Sequence, residues 1–445
     1  MNKRNVLDEK NMLKLLLKLS LPAMTGMFVM ALYNIVDTIF VGQGVGSLGI
    51  AGLTIVFPFQ MIITSIGISL GVGTASLISR SLGAKNYKKA ENSLGTSYMS
   101  AFIITAILTL FSYIFLDNLL HLFGATKAVL PYSKSYMSII LIGNIPIVFS
   151  MIGNNVIRSE GNAKMAMFSM LIGAVVNILL DPLFIFHFKM GVAGAATASV
   201  IAQFTQLAFI IYFFSSGKSI LHFKLKSFLI KFSILKEIVS VGFSSFARLV
   251  AGSFVFILIN NAIGKYGDDN SIAIFGISVR FTRFVLMPVF GIAQGFQPIA
   301  GYNFGAKRFP KIIEVTKLAI ISSTAIITFS IILSELFPTA ILKLFSKDPL
   351  LISSGAKVLR IMIFALPVVG FQAIGTTLFQ ALGKALPAII LSMSRQILIL
   401  IPLILILPRY YGVMGVWVSN PISDTASAIL TFFFYKNLIK QLKKL

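Results

Sequence analysis

Cysteine is absent from this 445-residue chain, tryptophan occurs once and histidine three times. The first absence rules out disulfides, thiolate nucleophiles and thiolate metal sites. His121, His187 and His222 are scattered through the chain, so a histidine metal site is not expected either. There is no HExxH-type motif and no paired histidine, and the chain offers nothing an intramembrane enzyme would need. No enzymatic activity and no cofactor are expected. Acids are scarce too: 14 Asp and Glu stand against 38 Lys and Arg, a formal charge of +24.

What is present in excess is apolar surface. Hydrophobic residues make up 57% of the chain and charged residues 12%, with a mean hydropathy of +0.91, a balance that leaves too few polar groups to cover a water-facing surface. A helix crossing a bilayer core needs roughly 20 mostly apolar residues, and twelve such stretches can be drawn between Leu13 and Tyr435. They lack the alternating polarity of barrel strands. An all-α polytopic membrane protein of twelve transmembrane helices is expected, in the bacterial inner (cytoplasmic) membrane. The first apolar stretch is too long for a signal-peptide core and reads as a retained span.

The basic excess has a topological pattern. Lys3, Arg4, Lys10, Lys14 and Lys18 precede the first span, and Arg80, Lys85, Lys88 and Lys89 follow the second. Lys218, Lys224, Lys226, Lys231 and Lys236 lie between the sixth and seventh, Lys307, Arg308 and Lys311 follow the eighth, and Lys436, Lys440, Lys443 and Lys444 end the chain. Every second loop is basic, so the positive-inside rule puts both termini and the central loop in the cytoplasm. The lipid bilayer, not nucleic acid, is the partner this charge implies.

The chain also repeats itself. Leu82-Gly83-Ala84-Lys85 recurs 222 residues later as Phe304-Gly305-Ala306-Lys307, and Gly161-Asn162-Ala163 recurs at the same offset as Gly383-Lys384-Ala385. Gly191-Val192-Ala193-Gly194-Ala195 recurs 221 residues later as Gly412-Val413-Met414-Gly415-Val416. Six spans per half is an even number, so the halves are parallel repeats about an axis along the membrane normal, with a substrate path between them. The expected division is residues 1–214, a first lobe, residues 215–236, a cytoplasmic linker with an amphipathic surface helix, and residues 237–445, a second lobe. Two repeats complete a pathway in one chain, so the monomer is expected to function alone.

Charged groups in mid-membrane are costly and usually functional. Most acids fall in loops or near span ends, but Asp37 and Asp181 do not. Tyr33 and Asn34 precede Asp37 on one helical face, and Asn177 precedes Asp181 at the i, i+4 spacing. Two carboxylates brought together away from water share a proton or hold a cation, which is the chemistry of ion coupling. The membrane arginines Arg248, Arg280, Arg283, Arg360 and Arg395 all lie in the second half, and Asp424 could pair with one of them. Arg280 and Arg283 draw notice as neighbours three apart on the eighth span.

These residues resemble the multidrug and toxin extrusion transporters, in the branch typified by the DNA-damage-inducible proteins and a staphylococcal multidrug pump. The resemblance rests on Leu21-Pro22-Ala23, Tyr33-Asn34-Ile35-Val36-Asp37-Thr38, Arg158-Ser159-Glu160-Gly161-Asn162 and the run from Gln297 to Ala306. It implies two six-helix bundles that alternate inward and outward openings, exporting organic cations in exchange for protons or sodium. Carried over, the ion-coupling site is Asp37, Asn154, Asn177, Asp181 and Ser199, with sodium as an alternative occupant at Asp37 and Asp181. Pro22 becomes a hinge, and Phe256 and Gln372 stand where some relatives carry a second acidic site. Met27, Met30, Tyr33, Asn34 and Gln60 are substrate-lining candidates, since polarizable side chains suit flat cations. The competing reading, a lipid-linked precursor flippase of the same superfamily, would sit better with about fourteen spans and a cationic cavity.

Overall fold

The computed structural model describes residues 6–222, 228–343, 345 and 348–444, and all regular elements among them are helical. The spans are α1 (Met12–Val45), α2 (Ser47–Gly83), α3 (Tyr87–Ile114), α4 (Leu130–Ser159), α5 (Ala163–His187) and α6 (Val192–Ser215). They continue as α7 (Phe232–Tyr266), α8 (Asp269–Gly305), α9 (Phe309–Leu336), α10 (Pro349–Ala381), α11 (Ala385–Tyr411) and α12 (Val413–Lys444). The first eleven are long and apolar enough to cross a membrane. The twelfth is long enough, at 32 residues, but Ser419, Asn420, Ser423, Asp424, Thr425 and Ser427 dilute its middle. Four of these, Ser419, Ser423, Asp424 and Ser427, are buried, so they face protein and not lipid.

The repeat in the sequence is a repeat in the backbone. Short helices Leu116–Leu122 and Pro338–Lys343 fill the same place in each half. Gly191 and Gly412 take left-handed φ values of 59° and 56° in the tight turns before α6 and α12, and Lys85 and Lys307 do so at 56° and 57°. A non-glycine residue pays a steric penalty there, so its recurrence marks one turn geometry used twice.

One expectation about the linker is corrected. The second half begins its first span at Phe232, not 237, and Lys236 and Glu237 are already helical. A membrane helix runs past the apolar core with charged residues on its end, because long side chains reach the interface. Among the described residues 216–222 and 228–231 there is no surface helix, only turns and extended chain; residues 223–227 lie outside the description.

The halves meet along a glycine-lined seam. A Cβ on Gly83 would overlap the carbonyl oxygen of Tyr302, and one on Gly305 would overlap that of Arg80. These are the same contact with the halves exchanged, as a two-fold relation requires. Gly242 meets Ser69, Gly295 meets Ser20 and Gly291 meets Met24 in the same way. Small residues are what let membrane helices approach this closely. Polar bonds close the seam at the basic-loop end: Glu237 pairs with Arg80 and Lys89, each at 2.9 Å, and Asp8 pairs with Arg308 at 2.7 Å. Phe28 packs edge-on against Phe284 at 5.6 Å. Beyond it, Leu32, Ile35 and Ile39 continue the same face of α1 and are 61%, 58% and 48% exposed. The seam is therefore shut at the basic-loop end, and beyond Phe28 this face of α1 is left uncovered by protein.

Candidate functional site

Above the closed seam, α1 and α5 bring the two mid-span acids together. The carboxyls of Asp37 and Asp181 lie close enough to interact with each other. Asp181 is wholly buried, while Asp37 is half-buried. The i, i+4 spacing read from the sequence does its work: Asn177 Nδ2 donates to Asp181 Oδ1 at 3.3 Å and to Ser199 Oγ of α6 at 3.4 Å. Three buried oxygens in this cluster, Asp37 Oδ1, Asn177 Oδ1 and Asp181 Oδ2, have no hydrogen-bond partner. Unpaired acceptors in a buried site are costly, and hard oxygen donors of this kind suit a proton shared by the pair or a hard cation.

Local backbone explains the placement of Asp181. Pro182 follows it, and α5 runs on through Leu183–His187 as a π-helical turn. Such a widened turn is common at functional positions in helices. Asn154 is not drawn into the acid cluster in the same way: its Oδ1 accepts from Ser169 Oγ at 2.5 Å.

The proposed lining residues divide. Tyr33 lies within electrostatic range of both carboxyls. Gln60 reaches the cluster through Tyr136, donating from Nε2 to its hydroxyl at 3.4 Å. Asn34 turns back on its own helix, donating to the Met30 carbonyl at 2.7 Å, and both residues are exposed. Met27 belongs to the seam, where Gln294 Nε2 approaches its sulfur at 3.5 Å. Tyr136 itself, buried and near Asp37, Asp181 and Tyr33, was missed by sequence reasoning. The only signal was a phenol within an apolar span, which is common enough to mean little alone.

In the second half, Asp424 pairs with Arg395. Arg280 and Arg283 are exposed on α8 and make no ion pair among the described residues. Phe256 packs on Phe275 at 5.6 Å, and Gln372 is buried.

Fold and site together define a polytopic membrane protein of two six-span repeats, closed along one end of a shared seam, with a mid-span carboxylate pair in the first repeat and none among the described residues of the second. The chain belongs to the MatE family, whose profile matches residues 22–183 and 245–406, once in each half. It is 27% identical to the multidrug export protein MepA of Staphylococcus haemolyticus over 98% of this chain and 96% of that one. An outward-facing multidrug resistance MATE transporter of the MOP superfamily superposes with a TM-score of 0.93 at 28% identity, covering 100% of this chain and 99% of the other. A MATE structure in a bent conformation does so with a TM-score of 0.93 at 29% identity, over 99% and 98% of the two chains.

Proposed function

We propose that this protein is a multidrug efflux antiporter of the bacterial cytoplasmic membrane, exporting organic cations in exchange for protons or sodium by alternating access. The carrying observation is the Asp37–Asp181 pair with its three unpartnered buried oxygens, set beyond a seam that is shut at the basic-loop end. By the positive-inside rule the uncovered face of α1 beyond that seam is on the outward side, with both chain ends cytoplasmic. The relatives named for multidrug export support small-molecule drugs as cargo, and they do not favour a lipid-linked precursor flippase. Transport of this kind needs no catalysis and no second subunit.

In this reading the first lobe, ending with α6 at Ser215, and the second lobe, beginning with α7 at Phe232, move against each other, tied by residues 216–231. A ligand shifts a conformational equilibrium only by its differential affinity for the two states. Ionised, Asp37 and Asp181 hold a cationic drug or a cation; neutralised by protons or by sodium, they release it to the outside. Pro22 is buried within α1, between the seam residues Ser20 and Met24. Its missing N–H leaves a carbonyl one turn back unbonded and weakens the helix there, so α1 bends at the seam when the carboxylates change charge. Efflux of a fluorescent cation from proteoliposomes, under an imposed pH gradient and then an imposed sodium gradient, tests the reading. One gradient should drive it, and efflux indifferent to both would refute coupling.

A further inference from the structure

Charge in the second half is arranged the other way round. Arg395 of α11 donates from Nε to Oδ1 of Asp424 of α12 at 2.5 Å. Asp424 is 1% exposed, and its second oxygen has no partner. Arg248 of α7 lies within electrostatic range of Arg395 and forms no ion pair with any described carboxylate. Its guanidinium carbon stands 5.4 Å over the ring of Phe290 on α8. One carboxylate thus pairs with one of two neighbouring guanidiniums, and Arg248 leaves a net positive charge inside the helix bundle. Charge there is expensive without a counter-charge.

The backbone is shaped around this cluster. Residues Ser394–Leu400 of α11 are π-helical, and that stretch carries Arg395 and Gln396. Ser423 Oγ donates to the Arg395 carbonyl at 2.5 Å, supporting a backbone group in the widened stretch. Gln396 is brought against Gly252 of α7, where even a Cβ would stand 3.2 Å from its Nε2, and its Oε1 is buried without a partner. At the repeat offset the first half holds Gly26, Gly173 and Gln203, none of them charged. There Gly26 packs against Met170, with Sδ 3.1 Å from where its Cβ would be. The first half closes the space that the second half fills with charge.

We propose that the region between α7, α11 and α12 is a binding site for the acidic group of an organic anion, a carboxylate or sulfonate on an apolar body. Arg248 supplies the free guanidinium, whose planar fork fits such a group. Arg395 is held by Asp424 as a positioned second cation, and the Phe290 ring beneath Arg248 borders the site with apolar surface. The site extends the cargo of this chain to anions and zwitterions, and it does not depend on how Asp37 and Asp181 are coupled.

The test is binding of tritiated para-aminohippurate, an aromatic amide ending in a carboxylate, to the purified full-length chain in detergent, read by scintillation proximity. Wild type should bind saturably, and Arg248→Gln at least tenfold more weakly. No saturable binding to wild type, or unchanged affinity in Arg248→Gln, would overturn the site. If Arg248→Gln is not monodisperse, Arg248→Lys replaces it, since a lysine keeps the charge but loses the fork: a several-fold loss supports the site and none overturns it. Titrating phosphatidylglycerol into the assay separates the sources of anion, because displacement of the probe assigns a lipid headgroup and its retention assigns a soluble acid. Failure of the coupling reading would appear in gradient-driven efflux and leave this binding unchanged.

Discussion

In the first half of the molecule the two mid-span acids stand together without an ion-pairing cation among the described residues: Asp37 and Asp181 face each other, with Asn177 and Ser199 behind Asp181. In the second half the buried acid, Asp424, is held by Arg395 with Arg248 nearby. The two halves otherwise share helix order, turn geometry and seam contacts. A duplicated scaffold therefore does not duplicate its chemistry. Shape is set by the small residues at helix ends and seam, which recur, whereas the polar residues inside each bundle vary freely so long as each burial is compensated.

The largest expected effect tests this division directly. Asp37→Asn and Asp181→Asn should each abolish gradient-driven efflux in proteoliposomes, by about a hundredfold or more, while membrane levels stay near wild type. Asp424→Asn should be milder, because its charge is already neutralised within a pair. Complete loss from Asp424→Asn, with efflux surviving in Asp37→Asn, would move coupling into the second half and reverse the comparison.

Much of this was legible in the sequence, for physical reasons. Apolar runs of bilayer length, alternating basic loops and the recurring Gly-Ala-Lys turns report on solvent and backbone, and both act locally along the chain. The i, i+4 spacing of Asn177 and Asp181 is local too, and it gave that part of the site. Contacts across helices were not legible: Tyr136 joins the acids from α4, Arg248 joins Arg395 from α7, and Asn154 turns to Ser169. Glu237 looked like a loop acid, yet it ties α2 and α3 to α7 through Arg80 and Lys89. A linker helix was expected from the charged, amphipathic stretch 215–236, but its last residues from Phe232 on, Lys236 among them, belong to the helical start of α7.

The seam offers the next test, because it is where the halves should behave alike. Gly83→Ala and Gly305→Ala each force a methyl onto a backbone carbonyl of the other half, and overpacking of this kind costs about 1–3 kcal/mol. Both variants should lower the thermal midpoint in detergent by similar amounts and reduce efflux several-fold. A loss in one variant only would show that the two contacts are not equivalent.

Smaller still is the expected effect of Pro22→Ala. Restoring an amide hydrogen to α1 should keep drug affinity in detergent near wild type while slowing efflux by roughly three- to tenfold, an activation change of about 1 kcal/mol. The register of Pro22 in the second half is Ser244 of α7, so the bend is a property of the first half. Efflux at the wild-type rate would make the proline dispensable and shift the conformational change to the π-helical end of α5.

The smallest effect concerns a turn where the halves differ by one residue. Glu160 ends α4, and at the same register α10 is followed by Leu382. Both are buried. Glu160 accepts from Ser219 Oγ at 2.6 Å and from the Ile220 N–H at 2.9 Å, tying the start of the linker to the first half. Burial pushes its carboxyl up from 4.5 to about 7, against the opposing pull of the Ser219, Ile220 and Leu221 hydrogen bonds. The folded state therefore holds this proton more tightly than the unfolded chain, and the stability it confers is full below about pH 4.5 and lost as pH rises through about 7. The unfolding free energy in detergent should fall between pH 5 and pH 8 by an amount on the order of 2 kcal/mol, read as a falling thermal midpoint. Glu160→Gln keeps an oxygen to accept from Ser219 and cannot ionise, so it should flatten that fall without changing efflux at pH 6. An equally steep fall in the variant would show that Glu160 is not its source, and the turn would then be as inert to pH as its leucine counterpart.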